Sequence, residues 1–385
     1  MRFSVDAHAI GRHLTGNEVY IRNLLNGFAA LDHNSEFIAY YSEEGASAWL
    51  PERFRKRRVA GNPFLRLGLD LTSRLWQDRP DLVHVQYTAP LACPVPVVVS
   101  VHDVSFLDHP EFFSRARATQ LRWTVARTVR TAARILTPSE FSRRSIERVY
   151  GVSGNRVVVA PNAVSEAFRP VSLQHAAEFV ENRFGIRTPF LLTVGDLQPR
   201  KNHLGLVRAF AELIREYPHL PHRLALVGKE TGHAAKIRKA VEREGIADRV
   251  HFTGFVSDDD LVQLYGACEL FVFPSFYEGF GLPILEAMAC GRAVACSNTS
   301  AMPEVANAAA ILFDPYSGRE MMQAIRDLVL DGELRSRMER LGQQRAALFS
   351  WRHAAQKTLE VYYEVAGGTR SGREDRRSVS VCSRL

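Results

Sequence analysis

Residues 277–291 read Tyr-Glu-Gly-Phe-Gly-Leu-Pro-Ile-Leu-Glu-Ala-Met-Ala-Cys-Gly, and their spacing suits an anion site flanked by two acids. They directly follow an apolar run, 270–273, with the character of a buried strand. Gly279 and Gly281 permit a tight turn and close backbone approach. Pro283 suits the first turn of a helix. Such a helix turns free N–H groups and the positive end of its dipole toward the carboxyl edge of the strand. Glu278 precedes the helix and Glu286 lies one turn inside it. Both can face one ligand, Glu278 its near part and Glu286 a more distant hydroxyl.

A second run, 194–202, reads Val-Gly-Asp-Leu-Gln-Pro-Arg-Lys-Asn and also follows a strand and opens a helix. Gly195 starts the turn. Arg200 offers a planar fork and Lys201 a point charge, together enough to neutralise a diphosphate. Such a pair on a loop is usually just solvated, but two anion-suited strand–helix junctions in one half of the chain reinforce each other. In the other half, an apolar run at 97–101 ends in His102-Asp103, at the sheet edge where ligands of open α/β sheets bind. His102 can hydrogen-bond a ligand hydroxyl or polarise a reacting centre; a structural His–Asp pair is the alternative. Gly16, in the run 11–17, stands before a helix and fits backbone contact to a phosphate or sugar, although the run is not G-x-G-x-x-G. The run 227–231 lacks the upstream glycine of a P-loop and is set aside.

Short β-branched runs alternate with amphipathic patterns along the chain, which is the mark of parallel strands with crossover helices. Strands are expected at 3–6, 37–41, 82–86, 97–101, 135–137 and 157–160, and again at 190–194, 224–227, 250–253, 270–273, 293–296 and 310–313. Helices are expected at 18–31, 202–217, 258–267 and 319–330. A break at 165–185 without a clear strand separates the two series. The fold class is therefore α/β: two Rossmann-like, doubly wound domains in tandem. We place the domains at 1–168 and 186–349, followed by a helix at 350–366 and a disordered tail at 367–385 that is rich in Arg and Ser.

The chain has 385 residues, 46% hydrophobic and 24% charged, which is ordinary for a soluble globular protein of two domains. No apolar run approaches the roughly 18 residues that span a bilayer. The first residues are strand-like rather than signal-like, so a cytoplasmic protein is expected. The cysteines, Cys93, Cys268, Cys290, Cys296 and Cys382, form no C-x-x-C pair, and Cys268, Cys290 and Cys296 read as small buried apolar residues. The net charge of +7 is concentrated in residues 53–58 (Arg-Phe-Arg-Lys-Arg-Arg) and in nine arginines between 115 and 148. A basic surface attracts anionic lipid, nucleic acid or phosphorylated substrates, or is simply a solvated face. No nucleic-acid motif accompanies it.

In context, Glu278 and Glu286 match the E-x7-E signature of the retaining family 4 glycosyltransferases, which have the GT-B fold. The resemblance extends over nearly the whole chain: Gly16, His102-Asp103, residues 137–142 (Thr-Pro-Ser-Glu-Phe-Ser), Pro161-Asn162, the 195–202 loop and Pro303-Glu304-Val305. It implies a cleft between the domains and a nucleotide-sugar donor bound by Gly16, Gly195, Arg200, Lys201, Glu278, Gly279, Phe280, Gly281, Leu282 and Glu286. Glu286 would hold the ribose hydroxyls and Glu278 the donor sugar. Arg200 and Lys201 would bind the diphosphate, with backbone near Gly281 and Leu282, and His102 would sit by the sugar. The catalytic set is then His102, Glu278, Arg200 and Lys201. Many relatives carry arginine where this chain has Asp196, which leaves more of the phosphate work to Arg200. The last helix would cross back onto the N-terminal domain.

No cofactor or metal is expected, since no acidic cluster suits magnesium or manganese and fixed cations can meet the charge on a departing diphosphate. The 195–202 loop and residues 104–111 look most like mannosyltransferases of polysaccharide assembly. GDP-mannose is the donor this implies, a UDP-hexose the next, and a glycan or lipid-linked sugar the acceptor. A family acceptor is often lipid-linked, so peripheral contact with an anionic membrane is expected, and no nucleic-acid partner. Two rivals remain open: a glycoside hydrolase using Glu278 and Glu286 as its carboxylate pair, and a non-catalytic sugar-nucleotide or glycan-binding module.

Overall fold

The computed structural model describes the backbone of residues 1–12 and 15–382 and the side chains of residues 1–12 and 16–368. The chain divides into two compact units, Met1–Asn162 with Trp351–Leu385, and Ala163–Ser350.

The first unit is built on seven parallel strands: β1 (Arg2–Asp6), β2 (Glu36–Tyr41), β3 (Arg55–Arg58), β4 (Leu82–Gln86), β5 (Val97–Ser100), β6 (Arg134–Thr137) and β7 (Val157–Val159). They lie in the order β3-β2-β1-β4-β5-β6-β7, all parallel. β4 and β5 are buried along their whole length because helices cover both faces, which is why their sequences read as continuous apolar runs.

β3 falls outside the expected strands. It lies inside the basic block and has no apolar residue. Alternate side chains of a strand share a face, and Arg55 and Arg57 both reach Asp78, at 3.3 and 3.1 Å. Asp78 is buried and also accepts a hydrogen bond from Tyr40 Oη at 3.1 Å. Part of the basic block is thus a structural ion pair at a sheet edge.

The helix Thr15–Leu31 and the helix Trp351–Cys382 cover one face together. Phe28 stacks on Phe37 and Phe37 on Phe54, with ring centroids 5.6 and 4.8 Å apart, and Tyr362 sets its edge against Phe3 at 5.1 Å. The two helices meet at Gly27, where a Cβ would lie 2.4 Å from the Cβ of Ala355. The last helix extends beyond the expected 350–366. The expected disordered tail is overturned in part: residues 367–382 continue that helix, and 383–385 lie outside the described residues.

The second unit holds β8 (Phe190–Val194), β9 (Arg223–Val227), β10 (Val250–Gly254), β11 (Leu270–Phe273), β12 (Ala293–Ser297) and β13 (Ile311–Phe313), in the order β10-β9-β8-β11-β12-β13. All its pairings are parallel. The break at 165–185 holds a helix, Leu173–Phe184, which starts on a Ser172 cap, ends at left-handed Gly185 and buries Ala176 and Val180 in this unit's core. Cys268, Cys290 and Cys296 are buried, as their apolar reading required. No helix among the described residues is long and apolar enough to cross a membrane.

Candidate active site

In the second unit β8 and β11 are neighbours at the point where strand order reverses, and the loops leaving their carboxyl ends bound the crevice in which ligands of such sheets bind. The two runs singled out above leave these two strands.

The loop after β8 bends at Gly195. Its φ of +152° suits glycine, and the Lys201 stem lies so close over it that a Cβ at this position would come within 3.0 Å. A 3₁₀ turn, Pro199–Lys201, presents the two cations, and Asn202, in left-handed conformation, caps the helix His203–Glu216 through its own side chain. Lys201 Nζ lies 2.7 Å from Glu278 Oε1 and over the Phe273 ring at 4.9 Å. Arg200 Nη1 lies 2.7 Å from Glu278 Oε2 and donates to the Tyr277 carbonyl at 2.6 Å. One carboxylate therefore fixes both cations. Burial pushes the Glu278 carboxyl up, but the charges of Arg200 and Lys201 outweigh it and hold it at about 2. Burial lowers the Lys201 ammonium, and the Glu278 charge opposes that. Asp196 stays within the loop system: its Oδ1 accepts from the Lys229 amide at 3.3 Å and ties the two loops after β8 and β9.

After β11 the chain turns through Gly281, left-handed at φ +103°, into the helix Leu282–Ala289 with Pro283 in its first turn. A helix N-terminus of this kind carries amides with no partner inside the helix and the positive end of the helix dipole. The ring of Phe280 turns into the core against Phe349, so this residue offers a ligand its backbone, and partly buried Leu282 packs on the same core. Glu286 is buried, and Tyr265 Oη donates to its Oε2 at 2.9 Å. Burial raises the Glu286 carboxyl to about 7 despite that bond. The Glu278 amide donates to Ser300 Oγ at 2.9 Å, and Ser300 is itself left-handed at φ +55°. Tyr265 and Ser300 carried no sequence signal, because each meets the site only through packing of a separate segment.

The first unit holds the other two candidates. His102 follows β5, and its Nε2 lies 3.0 Å from Gln86 Oε1 at the end of β4. Burial pulls the ring down to about 4, against the pull of Asp103. Asp103 does not pair with it: Asp103 Oδ1 accepts from the Ser105 amide and hydroxyl at 2.8 and 2.6 Å, capping a short turn. Gly16 lies in the first turn of the helix Thr15–Leu31 rather than before it, with open space around its Cα.

Two family profiles match the chain, glycosyltransferase family 4 over residues 14–168 and glycosyl transferases group 1 over residues 176–345. The chain is 32% identical over 265 residues to O-antigen chain mannosyltransferase B of Escherichia coli, which is 69% of each protein. It is 31% identical over 231 residues to the serotype-specific mannosyltransferase WbdA of the same species; these are 58% of this chain but 28% of that longer protein. Its fold matches the crystal structure of Anabaena HepE in complex with UDP and glucose, with TM-score 0.77 and 21% identity over 94% of this chain and 100% of that one. The protein is a glycosyltransferase with the GT-B fold. It belongs to family 4 and resembles bacterial mannosyltransferases.

Proposed function

We propose that this glycosyltransferase moves mannose from GDP-mannose to a glycan or lipid-linked acceptor in cell-surface polysaccharide synthesis, retaining the anomeric configuration and using no metal. The carrying observation is the cation pair Arg200 and Lys201, both 2.7 Å from Glu278, at the switch point of the second sheet and beside a helix N-terminus. As the bond from sugar to phosphate breaks, positive charge spreads over the anomeric carbon and ring oxygen and negative charge grows on the leaving diphosphate. Fixed positive groups aimed at that oxygen lower the barrier without reorganising. In this reading Arg200, Lys201, Gly195 and the amides of Gly279, Phe280, Gly281 and Leu282 meet the diphosphate, Gly16 approaches it, Glu278 faces the sugar, His102 binds a sugar hydroxyl, and Glu286 accepts from the ribose hydroxyls. The mannosyltransferase relatives support mannose.

A UDP-hexose is the second reading, favoured by the UDP and glucose in the HepE complex. A panel of sugar nucleotides assayed in EDTA separates the two, and NMR of the product's anomeric centre tests retention. Consumption of UDP-hexoses alone overturns the donor, activity lost in EDTA and restored by manganese overturns the metal-free reading, and inversion overturns retention. We also propose that the protein works at the cytoplasmic face of an anionic membrane, held there by its arginines.

A further inference from the structure

Among the described residues the His102 ring makes one hydrogen bond, and it goes to the amide oxygen of Gln86. An amide oxygen only accepts, so the imidazole nitrogen facing it, Nε2, carries the hydrogen. The ring is held on other sides as well. Tyr20 sets its edge against it with centroids 4.6 Å apart, and Tyr87 does so at 5.6 Å. Tyr20 Oη is bonded to Ser100 Oγ at 2.7 Å, Ser100 Oγ to His84 Nε2 at 2.7 Å, and His84 Nδ1 to Tyr362 Oη at 2.6 Å, so a buried chain of polar groups runs back to the last helix. Tyr87 stands in the left-handed region at φ +59°, a conformation that costs a non-glycine residue free energy and persists only where the surroundings impose it. Its amide donates to the Ser100 carbonyl at 2.9 Å, and Ser142 Oγ donates to the His102 carbonyl at 2.9 Å. Backbone, ring plane and one nitrogen are therefore all fixed.

We propose that Gln86 is a positioning residue that locks His102 as its neutral Nε2–H tautomer, so that Nδ1 is left as a hydrogen-bond acceptor for a hydroxyl of the substrate. The inference rests on the reading that His102 faces the donor sugar. It goes beyond that reading by assigning the atom, the direction of the hydrogen bond and the charge: His102 takes a hydroxyl hydrogen and offers neither a proton nor a positive charge to the reacting centre. The titratable groups that face the ring are Asp103 beside it, His84 on β4, and the phenols of Tyr20 and Tyr87. His84 is itself pulled down to about 3 by burial, so neither ring is charged near neutral pH.

The test is ¹⁵N NMR of the histidine rings in the substrate-free full-length protein, with His102→Asn to assign the signal, alongside steady-state kinetics. We expect the Nε2–H tautomer, neutral down to at least about pH 5. Gln86→Glu keeps an acceptor opposite Nε2 but adds a negative charge, so the ring's titration moves up by more than about one pH unit and the acid limb of kcat moves with it. Gln86→Leu removes the acceptor; the ring then populates both tautomers, and kcat falls about tenfold, the size of one lost hydrogen bond, with little change in the donor KM. Nδ1–H in the wild-type ring, or a titration unmoved in Gln86→Glu, overturns the assignment whatever His102 does. The expected tautomer and titration shift with kinetics unchanged in both Gln86 variants overturns instead the reading that His102 faces the sugar.

Discussion

The two units share one strand order around their switch points, yet the carboxyl edges of their sheets are electrostatically unlike. The second unit concentrates fixed charge: Arg200, Lys201 and an ionised Glu278 within 2.7 Å contacts, and Glu286 a helical turn along the chain. In the first, His102 is neutral and tied to an amide, the Asp103 carboxylate is taken up by the Ser105 amide and hydroxyl, and the Arg66 guanidinium is matched by Asp6 at 3.3 Å. The doubly wound sheet decides where a ligand can sit; the residues that leave the strands decide what it can be. An edge with fixed cations suits the part of a substrate on which negative charge grows. A neutral, hydrogen-bonding edge suits hydroxyls.

The largest expected effect tests the charged edge. Lys201→Ala removes one of the two cations that Glu278 holds. Turnover should fall by a factor on the order of 10²–10³, the range found when a group stabilising transition-state charge is lost. Donor affinity should fall as well. Steady-state kinetics with the identified donor decides it, and a loss of under about threefold would mean that Lys201 only buttresses Glu278.

A second effect separates the units by how they are built. Only in the first does the far end of the chain return to cover the sheet, and it does so against Gly27. Gly27→Ala puts a methyl group 2.4 Å from Ala355 and should cost about 1–3 kcal/mol in urea unfolding of the full chain. Adding Ala355→Gly should recover most of that loss. If the double variant is no better than the single one, the close approach is not what sets the cost.

A smaller effect distinguishes the two glutamates by pH. Glu278, at about 2, is ionised throughout the working range and should give nucleotide binding no pH dependence above about pH 4. Glu286, raised to about 7, becomes a full acceptor only as pH rises through that value. GDP and UDP should therefore bind more tightly at pH 8 than at pH 6, by up to about tenfold, and Glu286→Gln should flatten the slope. The stability linkage has the matching sign. A carboxyl raised in the folded state contributes stability that is fully present below its usual value near 4.5 and is lost as pH rises through about 7. Calorimetric titration at several pH values checks the binding, and urea unfolding with and without the substitution checks the stability. A slope that persists in Glu286→Gln belongs to another group.

How much of this could be read from the chain alone depends on where the information lies. Parallel strands covered on both faces must be apolar throughout, so 82–86, 97–101 and 270–273 announce themselves. β3 does not, because an edge strand of Arg and Lys is held by one neighbour and by the buried carboxylate of Asp78, which is distant in sequence. The helix Leu173–Phe184 hides in a segment whose plainest feature is its lack of a strand. The site residues that could be named are those whose type is dictated locally: glycines at positive φ, a proline in a first turn, charges just past a strand. Tyr265, Ser300 and Gln86 act through contacts that exist only once separate elements have packed.

The smallest effect per residue concerns the surface of the first unit, and here the structure moves the expectation. Of the basic block, Arg55 and Arg57 serve Asp78, Lys56 Nζ donates to the Ser47 carbonyl at 2.9 Å, and Arg53 donates to backbone carbonyls of Ala29 and Ser35. The helix Arg115–Thr131 differs: it holds Arg115, Arg117, Arg122, Arg127 and Arg130 and no acid. Arg127 donates to the carbonyls of Ala89, Pro90 and Leu91, which draws that loop onto the helix one turn from Trp123. Trp123 and Leu91 are 72% and 69% exposed, so two large apolar side chains stand out beside this positive charge. That combination fits an anionic bilayer, where each arginine near the surface adds about 1 kcal/mol and an aromatic ring settles at the headgroup level. Co-sedimentation with liposomes rich in anionic lipid should therefore fall, by about fivefold per site, for Arg115→Ser, Arg122→Ser and Trp123→Ala, and should fade as salt shortens the Debye length to about 3 Å at 1 M. Arg58→Ser, on the edge strand, should change it little. Equal binding to neutral liposomes removes the role of the arginines. Binding that is lost with Arg58→Ser but kept with Trp123→Ala returns the contact to the basic block. Self-association through Trp123 that appears without lipid would assign the patch to a second copy of the chain.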